Sequence, residues 1–243
     1  MPFFFYYDWS YLILVLPALI FSLWASGRVN TTFRKYSQMH TRRGMTGADA
    51  ARAVLLANGV SGVRIEAVPG NLSDHYDPKS NVIRLSESVY GVSTPAAVGV
   101  AAHEAGHAVQ YAQNYAPIKI RAAIVKATNI GSKLSMPLIL IGILCMALPS
   151  LAAFSEFFYY VAVFGVLCFG MCVVFQLITL PTEYNASRRA LRAIEDSALL
   201  TDEERSGAKK VLSAAALTYV AALAVSLTQF LRLLMIVGRR RRD

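Results

Sequence analysis

Two histidines and a glutamate stand at a spacing that suits metal chemistry, in the run His-Glu-Ala-Gly-His at residues 103–107. On a helix, residues four apart lie on one face, so His103 and His107 can bind a single metal ion. Glu104 projects from the next position around the helix and can reach a metal-bound water without being a ligand. This is the arrangement of zinc hydrolases, in which the glutamate accepts a proton from water held by Zn²⁺.

The residues around this motif favour a helix. Thr94 can cap its N-terminus, Pro95 suits its first position, and nothing breaks it badly before about Gln113. The alternative interpretation is a pair of core histidines that hydrogen-bond to backbone carbonyls. We favour a metal, because two histidines and a glutamate among small apolar residues are costly to bury unless something pairs them.

The composition is typical of a membrane protein. Of the 243 residues, 55% are apolar and only 16% are charged. The net charge of +9 comes from basic residues beside apolar runs, where they act as topology signals. The sequence contains no nucleic-acid motif and no glycine-rich phosphate loop, so we predict no nucleic-acid partner. All three cysteines lie inside apolar runs and provide neither a disulfide framework nor a metal site.

Three apolar runs are each long enough to cross a bilayer, from Trp9 to about Ser26, 134–154 and 157–180. Basic residues follow the first and third runs, whereas residues 1–8 and the link at Ser155 and Glu156 contain none. By the positive-inside rule the N-terminus is outside, and the HExxH segment is cytoplasmic. We expect the first run to be an uncleaved anchor, because its start lacks the basic residues of a signal peptide.

A fourth run, at residues 211–231, leaves two alternatives open. It is long enough to cross, but crossing would place the final arginines, 239–242, outside, against the charge rule. The alternative is a helix packed on the catalytic part or lying in the membrane interface. The charge rule slightly favours a cytoplasmic end.

A small soluble segment precedes the metal helix. Residues 46–58 form an amphipathic pattern that ends at Gly59, which predicts a helix. Residues 63–68 and 82–85 are predicted strands, and a turn begins at Asp77. An extended substrate could add itself to an edge of this sheet, which we state as a hypothesis.

A catalytic zinc usually has a third protein ligand and one open position. No histidine follows His107 and the cysteines are sequestered, so a carboxylate on the same side of the membrane is expected. Glu183 qualifies, since it follows Pro181 at what we predict to be the start of a new helix. Its alternative role is that of an ordinary acid at a helix start. Weaker candidates for the third ligand are Asp74, Asp77 and Glu87.

Several motifs together resemble the YugP-like neutral zinc metallopeptidases of bacterial membranes. The resemblance is carried by residues 103–107, 74–78 (Asp-His-Tyr-Asp-Pro), 181–190 (Pro-Thr-Glu-Tyr-Asn-Ala-Ser-Arg-Arg-Ala) and 216–222 (Ala-Leu-Thr-Tyr-Val-Ala-Ala). It covers almost the whole chain and implies a membrane zinc protease. Under it His103, His107 and Glu183 are the zinc ligands, and Glu104 is the general base.

A more distant likeness connects the chain to HtpX-like and CAAX-processing membrane metalloproteases. In those proteins an aspartate follows the glutamate ligand by four residues, where this chain has Ser187. Asn185 stands where an aspartate is common in YugP-like chains. The ligand set is unaffected, but no carboxylate beside Glu183 is expected to orient a histidine.

The predicted fold is mainly α, an integral membrane zincin-like metallopeptidase with three or four transmembrane helices and a small α+β cytoplasmic part. We divide it into an anchor (1–27), a catalytic part with the small sheet and HExxH helix (28–133), a transmembrane hairpin (134–180), and a third-ligand helix with the C-terminal apolar helix (181–243). The expected location is the bacterial inner membrane, with the site on the cytoplasmic side.

The predicted function is zinc-dependent cleavage of proteins at or near that membrane face, with membrane proteins as expected substrates and Zn²⁺ as cofactor. The alternative is a membrane protein in which zinc is structural and does no catalysis. Candidates for stabilising the oxyanion or positioning substrate are His75, Tyr76, Tyr184 and Arg188.

Overall fold

A computed structural model of the chain describes residues 9–71, 73–198 and 200–239. The aromatic lead at residues 1–8 and the final arginines 240–242 lie outside these residues. The described chain is mainly helical. Its elements in chain order are α1 (Leu16–Tyr36, after a π-helical turn at Tyr11–Val15), α2 (Gly47–Ala57), β1 (Arg64–Val68), β2 (His75–Asp77), β3 (Val82–Ser86), α3 (Pro95–Ala112), α4 (Ala116–Met146), a 3₁₀ turn (Pro149–Phe154), α5 (Ser155–Asp196) and α6 (Asp202–Arg239).

Long apolar helices dominate the described part of the chain. Four helical stretches there are long and apolar enough to cross a membrane: Tyr11–Tyr36, Ala116–Met146, Pro149–Asp196 and Asp202–Arg239. The predicted class, a mainly α membrane protein with three or four such helices and a small sheet, is confirmed. The fourth stretch contains the run 211–231, and its length and composition are compatible with both of the alternatives stated for it.

The helix that contains Glu183 differs from our prediction. We expected a new helix to begin after Pro181, but α5 runs through this proline without interruption. A proline inside a helix removes one N–H from the hydrogen-bond ladder and its ring crowds the carbonyl four residues earlier, at a cost of about 3 kcal/mol. The long apolar segment before Pro181 and the packed turns after it outweigh this cost. Glu183 is therefore a mid-helix residue, and the predicted stabilisation by a helix N-terminus does not apply. Pro137 is likewise inside α4.

The sheet has three strands in the order β1-β3-β2. The two predicted strands, β1 and β3, pair in parallel, with Ile65 opposite Ile83. The third strand, β2, pairs antiparallel to β3 at the edge, with Tyr76 opposite Ile83. We did not predict β2, because three residues just before a turn are too few to show an alternating pattern.

The chain folds into two compact units. The first, which we call the span unit, comprises residues 1–23, 120–179 and 220–243. Within it a small core forms around Ile139, Val166 and Leu233.

The second, the site unit, comprises residues 24–119 and 180–219. Its core joins α2, the sheet and α3, and buries side chains such as Val54, Leu85, Val98 and Ile194. Thr46 is the N-cap of helix α2 and forms a reciprocal capping box with Asp49. Every side chain of the candidate site belongs to this unit.

Candidate active site

Helix α3 places the two histidines. Thr94 caps it by accepting a hydrogen bond from the backbone N–H of Ala97 at 3.2 Å, and Pro95 occupies its first position. His103 and His107 then follow one turn apart. Their ring centroids lie 4.7 Å apart with the planes at 82°, so the two imidazoles stand edge to face on one side of the helix.

Gly106 allows α5 to approach this face. A Cβ at Gly106 would lie 2.6 Å from the backbone oxygen of Ala186, closer than any unstrained contact. The glycine inside the HExxH motif is therefore a packing requirement, which the motif by itself does not reveal. Because the two backbones touch at Ala186, the side chains of Glu183 and Ser187 come to lie beside the histidines.

His103, His107 and Glu183 form a cluster that fits a metal. Their ligand atoms all lie within 4.8 Å of one another. The Oε2 atom of Glu183 is 3.1 Å from Nε2 of His103 and 3.5 Å from Nε2 of His107. A tetrahedral zinc ion with bonds of about 2.0–2.2 Å separates neighbouring ligand atoms by roughly 3.3–3.6 Å, so these spacings suit zinc. Glu183 is buried, only 3% exposed, and a metal ion would offset the cost of burying its charge.

Each histidine has a second partner that orients its ring. Nδ1 of His103 lies 3.0 Å from Oγ of Ser187, and Nδ1 of His107 lies 3.0 Å from Oε1 of Gln110. Both partners can accept a hydrogen bond from Nδ1–H. Each Nε2 then keeps its lone pair and faces Glu183, which is the tautomer that a metal ligand requires.

Gln110 connects His107 to α5. It is fully buried, and its amide nitrogen donates to the carbonyl of Thr182 at 2.8 Å and to Oδ1 of Asn185 at 2.9 Å. Asn185 also accepts from Nε of Arg189 at 2.7 Å. The amide orientation of Gln110 is thereby fixed, and its oxygen is directed at the histidine.

Glu104 contacts the sheet through one of its carboxylate oxygens. Its Oε2 accepts a hydrogen bond from the backbone N–H of Tyr76 at 3.0 Å. The other oxygen, Oε1, has no hydrogen bond with any residue that the structure describes. Burial raises the pKa of the Glu104 carboxyl, and the neighbouring His103 and His107 only partly oppose this. A carboxylate with a raised pKa is a better proton acceptor near neutral pH.

A cavity of about 170 Å³ opens beside these groups. His103, Glu104 and Glu183 form its polar side, together with Asp74 and Ser187. Its other side is mainly apolar and comes from α3 and α6: Val100, Val211, Leu212, Ala215, Ala216 and Tyr219. The cavity can therefore admit a short apolar side chain next to the cluster of His103, His107 and Glu183.

The other candidate ligands have partners elsewhere. Asp74 lines the cavity, but its carboxylate accepts hydrogen bonds from the backbone and hydroxyl of Ser86. Asp77 accepts from Lys79 and Ser80 in its turn and pairs with Arg84, and these hydrogen bonds lower the pKa of Asp77 to about 2. Neither Asp74 nor Asp77 belongs to the cluster of His103, His107 and Glu183. Glu87 is exposed and also lies outside this cluster.

The four candidates for positioning the oxyanion or substrate do not lie together at the cavity. Tyr76 contacts the site through its backbone, while its hydroxyl bonds to Asn81. His75 is exposed, and its ring nitrogen Nδ1 lies 2.8 Å from the carbonyl of Ser73. Tyr184 and Arg188 line a different depression beside Tyr115 and Pro181 and do not line the cavity.

Three residues of the site were not predicted as functional: Gln110, Ser187 and Tyr219. Ser187 and Tyr219 lie inside motifs that carry the family resemblance, so their positions were visible but their roles were not. Gln110 follows His107 by three residues, one helical turn along the same face, which was the available signal.

The comparisons with known proteins show the family to which this chain belongs. A family described as "Putative neutral zinc metallopeptidase" matches residues 11–238. The chain belongs to this family, whose cofactor is Zn²⁺. It is 42% identical over 226 residues to "Putative membrane protease YugP" of Bacillus subtilis (strain 168), covering 93% of this chain and 96% of that protein. No solved structure gives a significant match.

Proposed function

We propose that this chain is a membrane-bound zinc endopeptidase that hydrolyses peptide bonds of proteins at or near the cytoplasmic membrane face. The observation that carries the proposal is the position of Glu104. Glu104 lines one cavity with His103 and Glu183, and these two belong with His107 to a cluster whose spacing fits zinc. A purely structural zinc site has four protein ligands and no adjacent base, whereas this one offers three ligands and a carboxylate.

The ligand roles follow from the hydrogen bonds around the cluster. Nε2 of His103, Nε2 of His107 and the carboxylate of Glu183 would hold the ion, and Ser187 and Gln110 would fix the two rings. When bound, Zn²⁺ lowers the pKa of a water ligand to about 7 and polarises a carbonyl oxygen.

Glu104 is assigned as the general base. The Tyr76 N–H holds one carboxylate oxygen at 3.0 Å. The other oxygen would accept a proton from the attacking water in the cavity that Glu104 lines. It would then deliver this proton to the leaving amine. The apolar side of the cavity limits access of bulk water, which favours proton transfer through Glu104.

The edge of the sheet offers a place for the substrate backbone. In β2, the Tyr76 N–H points away from β3 and towards Glu104, so the outer edge of β2 faces the site. We propose that an extended substrate adds to this edge, as we hypothesised for the small sheet. Methylation of substrate backbone nitrogens should then weaken cleavage, and unchanged cleavage would count against edge addition.

Our proposal for the side of the membrane on which the site unit lies rests on the distribution of charge. Basic residues Arg28, Arg34, Lys35, Arg42 and Arg43 belong to the site unit, as do Arg188, Arg189 and Arg192. By the positive-inside rule this unit faces the cytoplasm, and its substrates would be membrane proteins or their juxtamembrane segments.

The decisive experiment compares the purified parent with Glu104→Gln in a casein-cleavage assay, with zinc content measured on the same samples. We expect the parent to cleave casein in a phenanthroline-sensitive manner. The variant should keep its zinc and lose cleavage by roughly 10²- to 10⁴-fold. Glu87→Gln, an exposed acid outside the cavity, is the matched control and should behave as the parent.

Two outcomes would contradict the proposal. Equal cleavage by Glu104→Gln and the parent would refute the assigned base. A parent that binds zinc but hydrolyses neither casein nor membrane proteins would support the alternative, a zinc-binding membrane protein without catalysis. Comparing the membrane proteomes of parent and Glu104→Gln strains would identify the substrates.

A further inference from the structure

A groove between α1 and α6 of the site unit has the chemistry of an anion site. It encloses about 690 Å³, and the described residues that line it present three cations and four hydroxyl groups but no carboxylate. Its lining consists of Trp24, Gly27, Arg28, Thr31, Thr32, Lys35 and Tyr36 from α1, and Lys210, Ser213, Ala214 and Leu217 from α6. We call it the cationic groove.

The three cations of the groove have no acidic partner in the described part of the chain. Among the described residues, none of Arg28, Lys35 and Lys210 forms an ion pair. They contact aromatic rings instead. Arg28 lies over Trp24 at 5.3 Å, and the Lys35 and Lys210 ammonium groups lie 5.6 and 6.0 Å from the centroid of one ring, that of Tyr36. Two like charges at one ring repel each other, and a bound anion would relieve this repulsion.

The groove changes from apolar to cationic along both helices. In α1 the apolar run ends near Trp24, and Lys35 lies three turns further on. In α6 the order is reversed, with Lys210 followed by Leu217 and the apolar residues beyond it. Trp24 lies where the two parts meet and is 49% exposed. Tryptophan favours the membrane interface, so this position suits the boundary between headgroups and acyl chains. A free phosphate ion would use only the cationic part, whereas a phospholipid matches both parts.

We propose that the cationic groove binds one anionic phospholipid. Its phosphate would lie between Lys35 and Lys210, where the hydroxyls of Thr32 and Ser213 can donate hydrogen bonds, and an acyl chain would lie along Trp24 and Leu217. Basic pockets at the ends of membrane helices bind acidic headgroups by this combination of charge and apolar contact.

The lipid would contact α6, which also lines the cavity beside His103, Glu104 and Glu183. On α6, Lys210, Ser213, Ala214 and Leu217 face the groove, at the i, i+3, i+4 and i+7 spacing of one helical face. Val211, Leu212, Ala215 and Tyr219 of the same segment face the cavity. Lipid binding therefore stabilises the folded site unit and should raise its melting temperature.

The test is native mass spectrometry of the zinc-loaded full chain in detergent, titrated with phosphatidylglycerol or phosphatidylcholine. We expect one preferentially bound phosphatidylglycerol per chain. Lys35→Gln/Lys210→Gln should weaken its binding by roughly 25-fold, about fivefold for each cation. The matched control is Arg34→Gln/Lys209→Gln, which removes the same charge from adjacent positions on the same helices but outside the groove lining, and it should bind as the parent does.

Lys35→Arg/Lys210→Arg should retain binding, and zinc content checks that each variant is folded. In the parent, phosphatidylglycerol should raise the melting temperature, and millimolar inorganic phosphate should not displace the lipid. The proposal is overturned if the two Gln variants bind equally well, if phosphatidylcholine binds as tightly, or if inorganic phosphate displaces the lipid.

Discussion

The hydroxyl oxygen of Ser187 lies 3.0 Å from Nδ1 of His103, while Nε2 of the same ring faces Glu183. Ser187 stands four residues after Glu183, where the more distant resemblance in the sequence would place an aspartate. The absence of a carboxylate at this position was expected, and a neutral hydroxyl is the partner of His103 instead. Because Ser187 and Glu183 are one turn apart on α5, a single helix supplies both a proposed ligand and the partner of another proposed ligand.

Replacing Ser187 by alanine should weaken zinc binding by about 10-fold, because His103 loses the acceptor that fixes its tautomer. Competition with a chelator of known affinity measures the change. Ser187→Asp supplies a stronger acceptor and should bind zinc at least as tightly as the parent. Unchanged zinc affinity in Ser187→Ala would show that the ring is held by packing alone.

Gln110→Leu should weaken zinc binding by roughly 10- to 100-fold, because it removes the acceptor of His107 and leaves the carbonyl of Thr182 without its donor. The same chelator assay applies. Gln113→Leu is the control, since Gln113 is exposed and contacts Arg189 but neither histidine. Equal losses in both variants would argue for a general loss of stability rather than an effect on His107.

Gly106→Ala should lower the melting temperature and the zinc content together. Its Cβ would lie 2.6 Å from the Ala186 oxygen, so α5 must move away and take Glu183 with it. Gly99→Ala is the control on the same helix. Its Cβ would be no closer than 3.4 Å to Ala208, an ordinary contact, and alanine favours a helix over glycine by about 1 kcal/mol. A Gly106→Ala variant as stable as Gly99→Ala would contradict the close approach.

Glu183→Ala should purify without zinc, because two histidines alone leave the ion with too few protein ligands. Elemental analysis of the purified protein gives the metal-to-protein ratio. Glu195→Ala serves as control: it lies further along α5, is exposed, and pairs with Arg205. Full zinc occupancy in Glu183→Ala would remove Glu183 from the ligand set.

The local features of this protein could be read from its sequence. The spacing of His103 and His107, the cap at Thr94 and the long apolar runs each depend on residues that are neighbours along the chain, and helix periodicity relates such residues directly to a common face. The helix, the membrane class and the two longer strands therefore follow from the sequence.

The contacts between segments that are far apart in the sequence were decided only by the tertiary structure. Glu183 and Ser187 reach the histidines because Gly106 lets α5 touch α3, a close approach between distant parts of the chain that no local pattern encodes. Strand β2 is a second such case. The backbone N–H of its residue Tyr76 holds Glu104, but three residues are too few for the sequence to predict a strand. The helix that continues through Pro181 shows the reverse case: a local rule for proline was overridden, because packing on both sides outweighs one missing hydrogen bond.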